Sequence, residues 1–328
     1  MSITIAGGIT FGGGGFTLAA PPSTATAGWV SGGLTSPPTD YSSSVYRITF
    51  ATDTATAGTR GPLTVGRYYG AGTGTLTYGW IAGGFSPTVV SSVDRITYAT
   101  DTATASLRGP LSSVRRDLKA TGNDTGGWFA GGQPGPSTVV DKITYATDTA
   151  TASIRGSLNT ATNTSGGATG TTSYGWFGGG YTIAVALLST VQRIDYANDT
   201  ATASSRGPLS SARYNLAAVT DPTYGWFAGG GYNLPGGTGV YSTVDRITYA
   251  TDTATASVRG PISFARKGCA GVTDSTLYGW VASGSSPSPA KISTVDRITY
   301  ATDTATASVR GPLSSATYGG VSGTSGIQ

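Results

Sequence analysis

The sequence of 328 residues contains no histidine and no glutamate, and it has one cysteine, Cys269, and few lysines. Because histidine is absent, Ser-His-Asp and Cys-His nucleophile systems and imidazole metal ligands are excluded. The lone cysteine excludes a disulfide within the chain. No apolar run reaches the roughly 18 residues that a membrane helix needs, and the first residues lack the basic and apolar regions of a signal peptide. We therefore expect no metal, no cofactor and no membrane insertion.

Charged residues make up only 11% of the chain, and the formal net charge of +4 is small for its length. The basic residues stand at repeated positions rather than in runs, so the sequence does not indicate binding to nucleic acid. A glycosidase can work with two aspartates, but the aspartates that do not recur, such as Asp117 and Asp221, show no pairing in the sequence. The Gly-x-Gly matches follow from the high glycine content of 51 residues. None of them lies between a strand and a helix, where a dinucleotide- or phosphate-binding loop would lie. We expect a protein that is not an enzyme.

Six similar units of about fifty residues fill the chain. Each carries a version of three phrases: Trp-x-x-Gly-Gly, Val-Asp-Arg-Ile-Thr-Tyr and a closing Ala-Thr-Asp-Thr-Ala-Thr-Ala-Ser-x-Arg-Gly. A fixed period of this length indicates a solenoid, a propeller or an array. Within one domain spanning residues 1–328, we place the units at residues 12–61, 62–109, 110–156, 157–207, 208–260 and 261–311. Tryptophans at steps of 51, 48, 48, 50 and 54 mark the period: Trp29, Trp80, Trp128, Trp176, Trp226 and Trp280.

Each unit predicts four short antiparallel strands. In the fifth unit these are residues 213–220, 224–230, 242–249 and 253–259, separated by turn residues such as Asp221-Pro222 and Thr251-Asp252. Thr, Val, Ile, Tyr and Trp supply strand propensity, whereas helix formers are scarce. Four strands per repeat are typical of a β-propeller blade. We therefore predict an all-β, six-bladed propeller.

The two ends of the chain predict how the ring closes. Residues 312–328 resemble the first strand of a further unit, and residues 1–11 resemble a second-strand phrase. A ring that borrows a strand from a chain end pairs every inner edge, so we interpret both segments as closing or attachment segments. Seven blades with one stunted blade are the alternative. A β-solenoid is the rival fold, although its coils are usually shorter.

The alternation of side chains predicts the register of each closing hairpin. In the sixth unit Asp296 should oppose Val309, and Arg297 should oppose Ser308. We expect the strand aspartates to meet arginines of the neighbouring blade, while the turn aspartates bond their own backbone and the tryptophans pack between blades. The predicted structural ion pairs involve Asp94, Asp141, Asp245 and Asp296 with Arg60, Arg108, Arg155, Arg206, Arg259 and Arg310.

The segments between the second and third strands vary most and should emerge on the same face as the blade-to-blade connections. Because loops carry function on a rigid scaffold, we predict that this face binds a partner. The loops at residues 181–188 and 232–241 combine length with aromatic and branched apolar side chains, which indicates a protein partner. Packing of these loops on the propeller rim is the alternative. The candidate partner-binding residues are Tyr181, Leu187, Leu188, Tyr232, Leu234 and Tyr241.

The Gly-Gly doublet that ends the second strand, such as Gly83-Gly84, resembles that of the kelch repeat, a family whose fold is the β-propeller. The composition, which is rich in Gly, Ser, Thr and Ala, is similar to that of virion proteins of tailed, possibly marine, bacteriophages. That resemblance implies a tail fibre, adhesin or capsid decoration within a larger or homo-oligomeric assembly, made in the host cytoplasm and released in the virion. Its partners would be other virion proteins or a host-surface protein or glycan. A free glycan-binding lectin is the alternative.

Overall fold

The computed structural model describes residues 3–5, 9–11, 24–36, 40–135, 137–162, 166–182, 186–234, 237–287 and 290–325. Two strands precede the repeats, β1 (Ile3–Ile5) and β2 (Ile9–Phe11). The first unit contains β3 (Ala27–Gly32), β4 (Leu34–Ser36), β5 (Asp40–Tyr41), β6 (Val45–Thr49) and β7 (Gly58–Arg60). The second contains β8 (Ala71–Gly74), β9 (Tyr78–Ala82), β10 (Phe85–Ser86), β11 (Thr88–Val89), β12 (Val93–Thr97) and β13 (Ser106–Arg108).

The remaining units follow the same order. The third contains β14 (Lys119–Gly122), β15 (Gly126–Ala130), β16 (Val140–Thr144) and β17 (Ser153–Ile154). The fourth contains β18 (Gly167–Gly170), β19 (Tyr174–Gly178), β20 (Val191–Asp195) and β21 (Ser204–Arg206). The fifth contains β22 (Ala217–Thr220), β23 (Tyr224–Ala228), β24 (Gly231–Leu234), β25 (Gly237–Val240), β26 (Val244–Thr248) and β27 (Ser257–Arg259). The sixth contains β28 (Ala270–Thr273), β29 (Tyr278–Gly284), β30 (Ile292–Thr299) and β31 (Ser308–Arg310), and β32 (Val321–Ser325) follows.

These strands form six four-stranded antiparallel sheets, which are the blades of a propeller. Blades 2 to 6 use strands of one unit, whereas blade 1 has the order β32-β3-β6-β7. The six-bladed all-β fold is therefore confirmed, and the described residues form no seventh blade. In place of α-helices, the described residues contain short 3-10 helices at Phe50–Thr52, Tyr98–Thr100, Tyr145–Thr147, Tyr249–Thr251 and Tyr300–Thr302.

The C-terminal strand closes the ring. β32 pairs along the whole of β3, from Gly28 opposite Ser325 to Gly32 opposite Val321. β1 and β2 pair with each other in a separate hairpin, and neither belongs to the sheet of blade 1. The inner edge of β3, which would otherwise be open to another chain, is thus covered by the far end of the same chain.

The predicted register of the hairpins is confirmed. Asp296 opposes Val309 and Arg297 opposes Ser308, and the corresponding residues of the other described hairpins follow the same pairing. The glycine doublet also has a physical cause, because Gly83 and Gly84 both adopt positive φ angles, 65° and 110°, in the turn after the second strand. In the sixth unit Ser283 takes the first position, with a φ angle of 62°. Side chains are strained in that conformation, whereas glycine adopts it freely.

A repeated set of contacts, which we call the blade lock, joins each blade to the next. The turn aspartate of one blade accepts a hydrogen bond of 2.8–2.9 Å from the indole N–H of the preceding blade. Two basic side chains of the preceding blade contact the same carboxylate oxygen. The six locks are Asp101 with Trp29, Arg47 and Arg60; Asp148 with Trp80, Arg95 and Arg108; Asp199 with Trp128, Lys142 and Arg155; Asp252 with Trp176, Arg193 and Arg206; Asp303 with Trp226, Arg246 and Arg259; and Asp53 with Trp280, Arg297 and Arg310.

Packing surrounds each blade lock. Trp80 stacks on Tyr145 of the next blade with ring centroids 3.9 Å apart, and the other five tryptophans stack in the same way on Tyr98, Tyr196, Tyr249, Tyr300 and Phe50. The glycine of the Arg-Gly phrase is required as well. At Gly61 a Cβ atom would overlap the carbonyl oxygen of Ala103 in the next blade. The tryptophans therefore pack between blades, as the sequence predicts.

The structure corrects the predicted partners of both aspartate classes. The closing arginines bind the turn aspartates of the next blade, not the strand aspartates, and the turn aspartates use their carboxylates across the blade interface. The strand aspartates are fully buried and pair within their own unit, with an arginine of the connection that enters the blade. Side-chain alternation gives the face of a strand but not the neighbour that covers it. The four buried pairs are Asp94 with Arg67, Asp141 with Arg115, Asp245 with Arg213 and Asp296 with Arg266, at 2.5–2.9 Å.

Two blades lack the buried pair, and each lacks both partners. In blade 4 Gln192 replaces the aspartate and Thr162 replaces the arginine, and the Gln192 amide oxygen accepts the backbone N–H groups of residues 159 and 160. In blade 1 the corresponding residues are Tyr46 and Thr317, both buried. Losing one charge would leave the other buried without a counter-charge, which is strongly destabilising. The joint replacement indicates that the two charges stabilise the fold only as a pair.

Deleting residues 321–328 should open the ring. It removes β32 and leaves the inner edge of β3 unpaired, so we expect the melting temperature to fall by about ten degrees or more, or the chain to aggregate. Calorimetry of the truncated and full chains measures the difference. Deleting residues 1–11 is the control, since β1 and β2 pair with each other, and should change the melting temperature by about two degrees at most. If both deletions have the same small effect, β32 does not hold the ring closed.

Candidate functional site

The face on which the repeats differ is built from two sets of segments, and we call it the variable-loop face. One set comprises the loops between second and third strands, and the other comprises the connections that lead into the next blade. The two sets meet in short bridges, including Tyr68 with Phe85, Tyr214 with Gly231 and Lys267 with Ser285. The turn aspartates lie at the opposite ends of the strands, so the blade locks and this face are separate.

The predicted loop residues lie on the variable-loop face, and those with described side chains are half-buried. Tyr181 bridges Leu187 across its own loop, and the Leu188 backbone N–H donates to Gly180. The rings of Tyr232 and Tyr241 lie 4.9 Å apart in a tilted arrangement. The side chain of Leu234 lies outside the described residues. These loops therefore combine packing on the rim with partly exposed aromatic surface, so rim packing and binding do not exclude each other.

Tyr214, which the sequence analysis did not select, connects the two predicted loops. Its ring meets Tyr181 edge-on at 5.5 Å, and its backbone pairs with Gly231 through hydrogen bonds of 3.0 and 2.7 Å. Lys267 donates from Nζ to the Tyr214 hydroxyl at 2.9 Å. The loops of blades 4 and 5 are thus joined into one surface through the connection between them. Tyr214 follows a repeated buried arginine, and the variation at that position was the available signal.

A second aromatic cluster lies in blades 1 and 2, where no binding residue was predicted. Tyr41, Tyr68 and Phe85 lie within 5.6–5.8 Å of each other. Arg116 lies over the Phe85 ring at 5.1 Å and hydrogen-bonds the Tyr68 hydroxyl. Aromatic side chains are therefore not confined to the loops at 181–188 and 232–241, and the aromatic surface extends around the face.

The centre of the face is nearly closed. Backbone N–H groups of Tyr69 and Asp117 donate to Gly320 and Tyr69, and both donors adopt left-handed φ angles, 59° and 60°. The first strands of all six blades line the channel behind them, mostly with glycine and alanine, and leave a cavity of about 50 Å³. A cavity of this size holds a few water molecules. A large ligand must therefore bind on the face rather than in the channel.

Lys119 carries a charged side chain among the mainly small and apolar residues that line this channel. Its remaining exposed surface faces the narrow cavity, and burial lowers the pKa of its amine to about 8, an effect that the charge of Asp117 opposes. In the unfolded chain the amine keeps its usual pKa of 10.5. Below pH 8 both states are protonated and the cost of burying the charge is complete. Stability should therefore rise with pH between about 8 and 10.5 as the folded amine loses its proton first.

The variant Lys119→Met tests this cost. Methionine matches the length of the lysine stem and carries no charge, so we expect the variant to melt a few degrees higher at pH 7. The advantage should shrink as the pH rises from about 8 to 10. Thermal melts of both proteins across this range give the difference, in which the other titrating groups cancel. An advantage that does not change with pH would show that the amine is not desolvated.

A larger cavity, about 280 Å³, lies on the opposite face beside Trp29, Arg47 and Tyr98. Residue 24 lines the cavity and directly follows residues 12–23, which lie outside the described residues. We assign no site to this cavity.

Among the described residues, no three His, Cys, Asp or Glu side chains cluster so that they could hold a metal ion. The part of the chain that is described also has no helix of the length and apolarity required to cross a membrane.

Comparisons with known proteins identify the fold. No family model matches the chain, and no curated protein matches it. Among 263 matching chains of solved structures, one described as "Structure of YjhT" superposes with a TM-score of 0.67 and 11% sequence identity. The match covers 88% of this chain and 98% of that one. At this identity the similarity concerns the fold alone.

Proposed function

We propose that the protein is a non-enzymatic binding module that contacts a protein or host-surface receptor through its variable-loop face. One observation carries the proposal: the residues that recur in every unit form the blade locks at one end of the strands, whereas the loops that vary most in length and sequence between units lie at the other end, on the variable-loop face. Function on a rigid scaffold commonly resides in such loops. A propeller fold is compatible with this role.

The differences between units favour one asymmetric partner over a repeated ligand. A lectin with one site per blade would present the same residues in each unit. The position after the repeated buried arginine is instead Tyr68, Arg116, Tyr214, Lys267 and Tyr318 in five of the units. A protein surface that engages several blades at once fits this variation better than a sugar bound six times.

We further propose that this module belongs to a bacteriophage particle, as a tail fibre, adhesin or capsid decoration. The support is the compositional resemblance to virion proteins and the near-identity of the tandem units. In that role the chain would act within a larger or homo-oligomeric assembly, and its partners would be other virion proteins or a host-surface protein or glycan. The absence of histidine and the use of ten aspartates in ion pairs support a role without catalysis.

The double variant Leu187→Ser/Tyr232→Ser tests the binding face. We expect binding of the purified chain to source particles or host cells to weaken about tenfold or more, since aromatic and apolar anchors carry much of an interface's energy. Because both side chains are half-buried at the rim, the melting temperature should fall by only about two degrees. Co-sedimentation with the particles or cells measures the binding.

The matched control is Leu76→Ser/Leu277→Ser, which removes two apolar side chains from the opposite face, where Leu277 is 58% exposed. Binding by this control should be unchanged. If the control loses binding and the loop variant keeps it, the partner contacts the face of the turn aspartates. If the loop variant unfolds instead, these loops are part of the rim's packing.

A further inference from the structure

The repeats use most of the charged side chains for their own structure. Of the twenty basic residues, all in the described part of the chain, twelve belong to blade locks and four to buried pairs. The four that remain are not scattered. Arg116 and Lys267 lie in connections, Lys291 lies in the loop before β30, and Lys119 begins the first strand of blade 3. All four belong to the variable-loop end of the propeller.

Most of the aspartates outside the blade locks and the buried pairs lie at the opposite end of the propeller from these four bases. Asp124, Asp221 and Asp274 lie in turns between first and second strands, and Asp195 ends β20 next to the turn that follows. All four therefore lie at the face of the turn aspartates. On the variable-loop face the corresponding acids are Asp40, which is exposed, and Asp117, which is buried and lies 3.8 Å from Arg116. Positive charge thus exceeds negative charge on the face that we propose for binding.

Three of the four bases at the variable-loop end lie over an aromatic ring, whereas Lys119 faces the channel. Lys267 Nζ lies 5.1 Å from the centre of the Tyr214 ring, and Lys291 Nζ lies 4.9 Å from that of Tyr318. Arg116 has the same relation to Phe85. Such cation–aromatic contacts hold a long side chain in place at modest free-energy cost. The charges are therefore positioned rather than freely mobile, which favours recognition of a defined surface.

Two couples, each formed by a tyrosine and a base that contacts its hydroxyl, lie on opposite sides of the ring. Tyr68 and Tyr214 occupy the same position three units apart, and so do their basic partners Arg116 and Lys267. In a ring of six blades, three units correspond to a half turn. A single partner that covers the mouth of the channel would meet one couple on each side, with the apolar side chains of the loops around it.

We propose that the variable-loop face binds an acidic surface of a protein partner. The proposal rests on the proposed function, because it names the chemistry of the partner at the same face. Opposite charges speed association and select the partner, and the surplus of bases on this face supplies them. The cations cover one side of the rings of Phe85, Tyr214 and Tyr318, so these rings offer less surface for stacking on a sugar. The neighbouring apolar loop residues suit a protein instead.

The experiment measures fluorescence anisotropy of three labelled probes: a twenty-residue peptide of Glu, Leu and Tyr, the same peptide with Gln in place of Glu, and an oligogalacturonate of equal charge. We expect the wild-type chain to bind the Glu peptide at least about tenfold more tightly than either other probe. Its affinity should fall steeply between about 50 and 200 mM NaCl, because salt screens exposed charges.

Arg116→Gln/Lys267→Gln should weaken binding of the Glu peptide about tenfold or more. Thr77→Asp/Thr172→Asp is the matched control, since it lowers the net charge by the same two units at exposed positions on the opposite face, and should change binding by about twofold at most. Lys291→Gln changes one exposed side chain, carries little risk to folding, and should weaken binding about two- to fivefold.

Three results would overturn the proposal: equal binding of the Glu and Gln peptides, tighter binding of the oligogalacturonate, or an equal loss in the control pair. Failure here is distinguishable from failure of the proposed function. If Leu187→Ser/Tyr232→Ser still loses binding to particles or cells while the Glu peptide does not bind, the face is a binding surface whose partner is not acidic.

Discussion

The contact of each turn aspartate with three side chains of the preceding blade is the interaction on which this structure depends. Asp252 illustrates it: one carboxylate oxygen accepts the Trp176 indole N–H at 2.8 Å and contacts Arg193 and Arg206 at 3.0 and 3.1 Å. Hydrogen bonds to a charged group contribute about 1.5–3 kcal/mol each. The two arginines are 24% and 18% exposed, and ion pairs with that access to water contribute less. The buried indole is therefore the dominant donor.

The same interaction explains why the ring closes. Asp53 in blade 1 accepts hydrogen bonds from Trp280 and Arg297 of blade 6 and forms an ion pair with Arg310, so the interface between blades 6 and 1 has the same lock as the five others. The hydrophobic cluster at that interface is also similar to those at the other blade interfaces, with Val30 and Tyr46 of blade 1 in one cluster with Trp280 and Val295 of blade 6. Closure therefore adds β32 to a contact that the repeats already specify. The constancy of Trp, Asp, Arg and Gly in the units follows from this one contact.

Because the locks lie at one end of the strands, the other end is free to change. The connections and loops there need to keep only the glycine doublet, which is Ser283-Gly284 in blade 6, and, in four blades, the buried arginine. Tyr68, Arg116, Tyr214 and Lys267 can therefore differ without weakening the contact between blades. The blade locks and the variable-loop face therefore occupy opposite ends of the strands.

The sequence predicted the period, the four strands per blade, the register of the hairpins and the packing of the tryptophans, because each depends on local alternation or on the repeat itself. It did not predict that Asp245 pairs with Arg213, since that contact depends on how the entering connection packs against the third strand, or that Asp252 binds Trp176, since that contact depends on how the blades stack. The role of Tyr214 was missed for the same reason: its neighbours, Tyr181 and Lys267, lie in the adjoining units. Differences between repeats selected the variable-loop face, but the contacts that Tyr214 makes across units could not be read from them.

The account is tested most directly by the free energy of unfolding of Asp252→Asn, measured beside Asp124→Asn in an exposed turn of the same face. The amide keeps the shape of the carboxylate but removes its charge from three donors, so we predict a loss of about 2–4 kcal/mol, and a change within about 0.5 kcal/mol for Asp124→Asn. Amide hydrogen exchange should also quicken along the interface between blades 4 and 5. Equal stability of the two variants would show that the turn aspartates do not hold the blades together.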